Sequence, residues 1–84
     1  MKDYIIKEYI NKLSINDIIT YGKKNNITIS IVDANTLLFY AKNYLDIFLH
    51  GNPDNLIFEL KEKLEPNTFK EAYKLYIINK LKYK

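Results

Sequence analysis

His50 is the only histidine in the sequence, with a carboxylate at helical spacing on either side: Asp46 four residues before it and Asp54 four after. An imidazole between two carboxylates is the raw material of a metal site or an acid–base pair. Gly51 and Pro53 interrupt the winding that would bring the three groups together. A histidine beside a helix-ending glycine has a simpler role, facing the carbonyls of the last turn. Cysteine is absent, which excludes disulfide scaffolds, thiol nucleophiles and thiolate metal sites. Glu59, Glu62, Glu65 and Glu71 alternate with Lys61, Lys63 and Lys70, the pattern of a solvated face with local ion pairs. The sequence therefore predicts no catalytic residues, no metal and no cofactor, and a protein that is not an enzyme.

Positive charge is the next candidate for function. The 13 basic residues are all lysine and outnumber the acids by 3, so the fork that arginine offers to phosphates and guanine edges is missing. Lys74, Lys80, Lys82 and Lys84 crowd the tail with no acid among them, interleaved with Tyr76 and Tyr83. That spacing suits contacts to an anionic partner such as a nucleic acid. Cations at a helix C-terminus also complement the macrodipole, and aromatics at this spacing are usually core, so the structural reading is preferred. Ser30 to Lys42 follows a helix and a short connector, with Gly22 and Ile27 placed roughly as in a helix-turn-helix. A DNA-reading helix needs polar, basic side chains. This one offers Asp33, Asn35 and Thr36 among apolar residues, and Asp33 would repel phosphate.

These residues are carried by a series of capped helices. Ile5, Ile6, Tyr9, Ile10 and Leu13 form a first apolar stripe. Ser14-Ile15-Asn16-Asp17 reads as an N-cap with an acid in the first turn, leading a helix with Ile15, Ile18, Ile19 and Gly22 on one face. Asn25-Asn26 suits a left-handed C-cap. A second box at Ser30-Ile31-Val32-Asp33 follows an extended Ile27-Thr28-Ile29 connector. Its helix carries Ile31, Ala34, Leu37, Leu38 and Ala41, continued by Leu45, Phe48 and Leu49, and is apolar nearly all round, as a central helix would be. It ends at His50-Gly51, with an earlier break at Lys42-Asn43 left open. Asn52-Pro53-Asp54 reads as N-cap, N1 and N2 of a helix buried through Leu56, Ile57, Leu60 and Leu64 and stopped at Glu65-Pro66. Thr68-Phe69-Lys70-Glu71 reads as a capping box for a last helix on Phe69, Ala72, Tyr73, Tyr76, Ile77 and Leu81. The predicted fold is all-α: one helical domain over residues 1–84, a compact bundle of about five short helices with a helix-turn-helix-like central pair.

The run from Leu13 through Ser14, Asp17, Gly22, Asn25 and Asn26 to Ser30, with Ala34, Asp46-Ile47-Phe48 and the Leu60 helix, resembles the YqfT-like family. These are short proteins of unknown function in low-GC Gram-positive bacteria. The resemblance spans nearly the whole chain through cap residues and apolar positions. It implies a helical cytoplasmic protein and carries over no catalytic residues. The sequence departs from the pattern at Tyr40-Ala41-Lys42, where a basic residue such as arginine is expected, and at the inserted-looking Leu49-His50-Gly51-Asn52.

The remaining signal is a surplus of apolar residues. Leu75 and Ile78 fall away from the stripe of the last helix, Phe58 points away from Leu56, Leu60 and Leu64, and Tyr40 is off-centre on the middle helix. If these share a surface they mark an interface; otherwise they complete a two-sided core. No apolar run reaches the length of a signal peptide or a membrane span, so the expected location is cytoplasmic. A chain this small, without disulfides, has reason to associate. The function expected is a non-catalytic protein-interaction module, with a homodimer as its self-associating form. Weak nucleic-acid binding through the helix-turn-helix-like segment and the Lys-rich tail is the alternative.

Overall fold

Six helices are present among the described residues, in the order α1 (Asp3–Lys12), α2 (Ile15–Lys24), α3 (Ile31–Asn43), α4 (Leu45–His50), α5 (Asp54–Lys63) and α6 (Pro66–Lys82). The computed structural model describes the backbone of residues 3–82 and the side chains of residues 4–78.

Helix α1 buries a narrower stripe than expected. Ile6, Ile10 and Leu13 are half-buried, while Ile5 and Tyr9 are exposed alongside Tyr4. Ser14 then starts α2 through a full capping box. Its hydroxyl accepts from the Asp17 N–H at 3.2 Å, and the Asp17 carboxyl accepts from the Ser14 N–H at 2.9 Å. Two orphan donors are satisfied reciprocally. Ser14→Ala is expected to cost about 1 kcal/mol, read as a lowered urea midpoint at unchanged slope.

The far end of α2 stops as the double asparagine predicts. Asn26 takes φ 64°, and the Asn26 and Ile27 N–H groups donate to Lys23 O at 3.1 Å and Gly22 O at 3.0 Å. This is the Schellman pattern, which turns the chain sharply back. The turn lays Ile29 over Gly22, both buried. A Cβ on Gly22 would sit 2.7 Å from Ile29 Cδ1 and Cγ1. The glycine is there because another side chain occupies its missing atom's place.

Ser30 caps α3 by accepting from the Asp33 N–H at 3.0 Å. The Asp33 carboxyl does not complete a box. It is buried and accepts instead from the Glu65 N–H at 3.1 Å, joining the first turn of α3 to the residue before α6.

The central helix is two helices, which makes the total six. At Tyr44 (φ −125°, ψ 21°) the backbone leaves the helical region. The Asn43 amide donates to Phe39 O at 2.9 Å, in competition with the backbone ladder. The chain then restarts, with the Ile47 and Phe48 N–H groups both donating to Tyr44 O at 3.1 Å.

Two other boundaries differ from the sequence reading. Pro53 stands at the N-cap of α5, not N1, while Asn52 Oδ1 accepts from the Asp54 N–H at 3.1 Å. Thr68 does not cap α6. The helix already begins at Pro66, whose fixed φ suits N1, and Glu65 O accepts from the Phe69 N–H at 2.9 Å. Thr68 thus falls inside the first turn, where it is buried.

The core gathers around Tyr40, Leu60 and Leu64, with Leu37, Tyr44, Phe48, Leu56 and Phe69 packed against them. α3 lies at its centre, packed against α1, α2, α4 and α5, while α6 rests on α5. No described helix is long and apolar enough to cross a membrane.

Candidate interaction surface

Helix α3 has two faces, and both are largely apolar. The inner face runs through Asp33, Ala34, Leu37, Tyr40, Ala41 and the cap Tyr44, all buried or half-buried. The outer face runs through Ile31, Val32, Asn35, Thr36 and Phe39 at the same helical spacing, and ends on the exposed Lys42. Ile31 is 69% exposed, Val32 73% and Phe39 54%. The Ile31 expected in the core stripe therefore lies on the opposite side. With Ser30 fixed as the cap and Ala34 inward, residue 31 is turned outward by helical geometry.

Phe39 is held along one side. Its ring meets Tyr40 edge-on at 5.9 Å and Tyr44 at 6.2 Å. Beside it is a shallow cleft of about 300 Å³ lined by Asn35, Thr36, Phe39, Tyr40 and Lys63. One polar group of this face is already engaged: the Thr36 hydroxyl donates to Val32 O at 3.0 Å. A hydroxyl satisfied within its own helix costs less to remove from water.

Tyr40, read from sequence as a surplus apolar residue, is 7% exposed and part of the core. Tyr44, four residues on and so on the same face, brings its ring to 5.4 Å and helps cover Tyr40. Its hydroxyl donates to Glu59 Oε1 at 2.7 Å. That bond, aided by burial and the nearby carboxylate charge, pushes the phenol up to about 12 from its ordinary 10.0. Because the folded state holds the proton more tightly than the unfolded chain, this contribution is intact below pH 10 and is lost as pH rises toward 12. Tyr40→Phe is expected to cost about 1.5 kcal/mol at neutral pH. It should also flatten the alkaline fall in stability, measured by urea titrations across that interval.

Phe58 and Ile78 are exposed, and Leu75 is more than a third exposed. Lys74 is exposed on α6. The side chains of Lys80 and Lys82, and Lys84 altogether, lie outside the described residues. Asp46 pairs with Lys7 at 3.2 Å, both well exposed, and Asp54 opens α5. His50 ends α4, where the Gly51 N–H donates to Ile47 O at 2.9 Å. Among the described residues no group of three histidine, cysteine, aspartate or glutamate side chains is placed to hold a metal.

The total accessible surface is 6225 Å², against about 5,200 Å² for a monomer of this mass. The radius of gyration, 12.2 Å, is the roughly 12 Å of an ordinary compact chain of this length.

Sequence reasoning missed the outer face of α3. The signal was present: positions 31, 32, 35, 36 and 39 form a second stripe opposite Ala34, Leu37 and Ala41. A helix apolar nearly all round reads as a central, buried one, but here one face serves the core and the other faces water.

Fold and surface together define an all-helical domain with a divided central helix whose outer face is largely apolar. The chain belongs to the family of proteins of unknown function DUF2624, which it matches over residues 1–79. No curated protein and no solved structure matches it.

Proposed function

We propose that this protein is a non-catalytic, cytoplasmic interaction module that docks an apolar helical surface onto a protein partner, with self-association as its simplest form. The observation that carries this reading is the outer face of α3: Ile31, Val32 and Phe39 are more than half exposed along one stripe. Single exposed apolar residues are ordinary, but an aligned group flanking a cleft is the pattern of an interface. Phe58 and Ile78 add exposed apolar surface elsewhere. Within the family, this reading groups the chain with the YqfT-like proteins of low-GC Gram-positive bacteria.

Photo-crosslinking residues placed singly at Phe39, Phe58 and Ile78 in living cells test the proposal. A discrete protein adduct from at least one position, abolished by a second-site Asp on the same face, is the expected result. Uncrosslinked monomer from all three overturns it. The competing account is nucleic-acid binding through a helix-turn-helix-like α2–α3 pair and the Lys-rich end of α6. It predicts salt-dependent retention on DNA or RNA that weakens when Lys80 and Lys82 become Gln. The outer face of α3 offers apolar side chains and a single lysine, Lys42, where a DNA-reading helix needs several polar, basic ones, which favours the protein partner.

A further inference from the structure

We infer that α1 is a releasable strap: it clasps the joint between α3 and α4, and it lifts off as a unit, under ionic control, while the core stays folded.

The two polar ties of α1 reach opposite sides of the joint. The Lys7 ammonium pairs with Asp46 of α4 at 3.2 Å, and the Lys42 ammonium of α3 donates to the Asn11 carbonyl at 3.2 Å. Lys7 and Asn11 stand one turn apart on α1, while Lys42 and Asp46 flank the break at Tyr44. The order of the partners is reversed, so α1 runs antiparallel to the helices that it ties together. Between the ties Ile10 and Leu45, both half-buried, line the same shallow cleft. α4 is only 6 residues long, too short to keep its winding unaided, so a clasp from outside bears on its position.

The hold is light. Between Tyr4 and Leu13 no side chain is fully buried, and the core around Tyr40, Leu60 and Leu64 takes none of its packing residues from α1. Lifting α1 therefore opens no hole in that core. The Lys7 and Asp46 side chains are 50% and 72% exposed, and a pair so placed is weak and screened by salt. The link between α3 and the start of α6, by contrast, runs through the buried Asp33 carboxyl. Lifting frees Ile6, Ile10 and Leu13 and uncovers Leu45. Tyr4, Ile5 and Tyr9 already face outward, so the freed helix is apolar on both sides.

Residue-resolved hydrogen exchange in low urea tests this. The Tyr9 and Ile10 amides should exchange at least about tenfold faster than those of Leu37 and Tyr40, with less than about half the dependence on urea. Raising the salt from about 0.01 to about 0.15 M shortens the Debye length from about 30 to about 8 Å. That change should speed the α1 amides about two- to fivefold. Lys7→Gln and Lys42→Met, both at exposed helical positions, should each act in the same direction at low salt. The chain has no cysteine, so Leu45→Cys supplies a single thiol, and its labelling by an uncharged reagent reads the uncovering of the joint. Labelling should quicken with salt and with Lys7→Gln. α1 amides that match Leu37 and Tyr40 in both rate and urea dependence overturn the inference, because α1 then leaves only when the whole chain unfolds. Fast α1 exchange that ignores salt and both lysine variants, with Leu45→Cys labelling equally unmoved, also overturns it, since the helix then frays without having been clasped.

Discussion

Gly22→Val is expected to destabilise the protein by about 3 kcal/mol, the upper end of the range for an overpacked core. Its Cβ alone would lie 2.7 Å from two carbons of Ile29 and 3.2 Å from the Ile27 carbonyl oxygen. Ile29 is buried, and the Schellman turn at Asn26 fixes the path that brings it there. The side chain therefore has little room to retreat. A domain of this length is stable by only about 4–13 kcal/mol, so the melting temperature should fall by about 10–20 °C. Gly22→Ala is the sharper probe, because two effects compete. Alanine gains up to about 1 kcal/mol of helix preference and meets the same clash. The clash is expected to win, and pairing Gly22→Ala with Ile29→Val should recover part of the loss by removing Cδ1. Thermal unfolding followed by circular dichroism measures all three. If Gly22→Val melts within about 3 °C of the wild type, Ile29 is not a rigid seat and this account of the α2–α3 junction is wrong.

Asp33→Ala is expected to cost about 2–3 kcal/mol, from a different cause. The Asp33 carboxyl is buried, accepts from the Glu65 N–H, and lies near the positive ends of two helices, α3 and α6. Removing it strips that N–H of its partner, which costs more than the net worth of the bond itself. Asp33→Asn keeps an acceptor oxygen and should lose about half as much. The Ser30 cap is untouched in either variant, because it binds the Asp33 backbone and not the side chain. Urea unfolding provides the free energies. Hydrogen exchange at the Glu65 amide should show it losing protection in Asp33→Ala. Protection equal to the wild type there would mean the link between α3 and α6 is held by something else.

Much of the fold was legible because helix ends are written locally. The cap at Ser14 needs only Asp17 three residues on, and the turn at Asn25-Asn26 needs only a residue that tolerates positive φ. The inward positions of α2, α4 and α5 followed from spacing of 3.6 residues, and half-buried Ile15, Ile18, Ile19, Leu56 and Ile57 lie where that period puts them. The break at Tyr44 was half legible: Lys42-Asn43 marks a place where the helix can end, and the Asn43 amide bonds back to Phe39 O there, but an apolar pattern continuing in phase through Leu45, Phe48 and Leu49 leaves open whether it does. Thr68 deceived outright. Its capping-box pattern with Glu71 is genuine in sequence, but Pro66 starts the helix two residues earlier and draws the threonine inside.

The sequence alone determined that this protein is a set of short capped helices joined by tight connections, since propensity, caps and turn residues act over a few neighbouring positions. It could also identify which residues are apolar in excess. Which of them water would reach was decided only by tertiary structure. Tyr40 and Phe39 are adjacent and chemically alike, yet one is closed into the core by Tyr44 and bonded to Glu59 while the other stands more than half exposed. Burial depends on which distant element covers a given side chain, and covering is a relation between helices that no local pattern encodes.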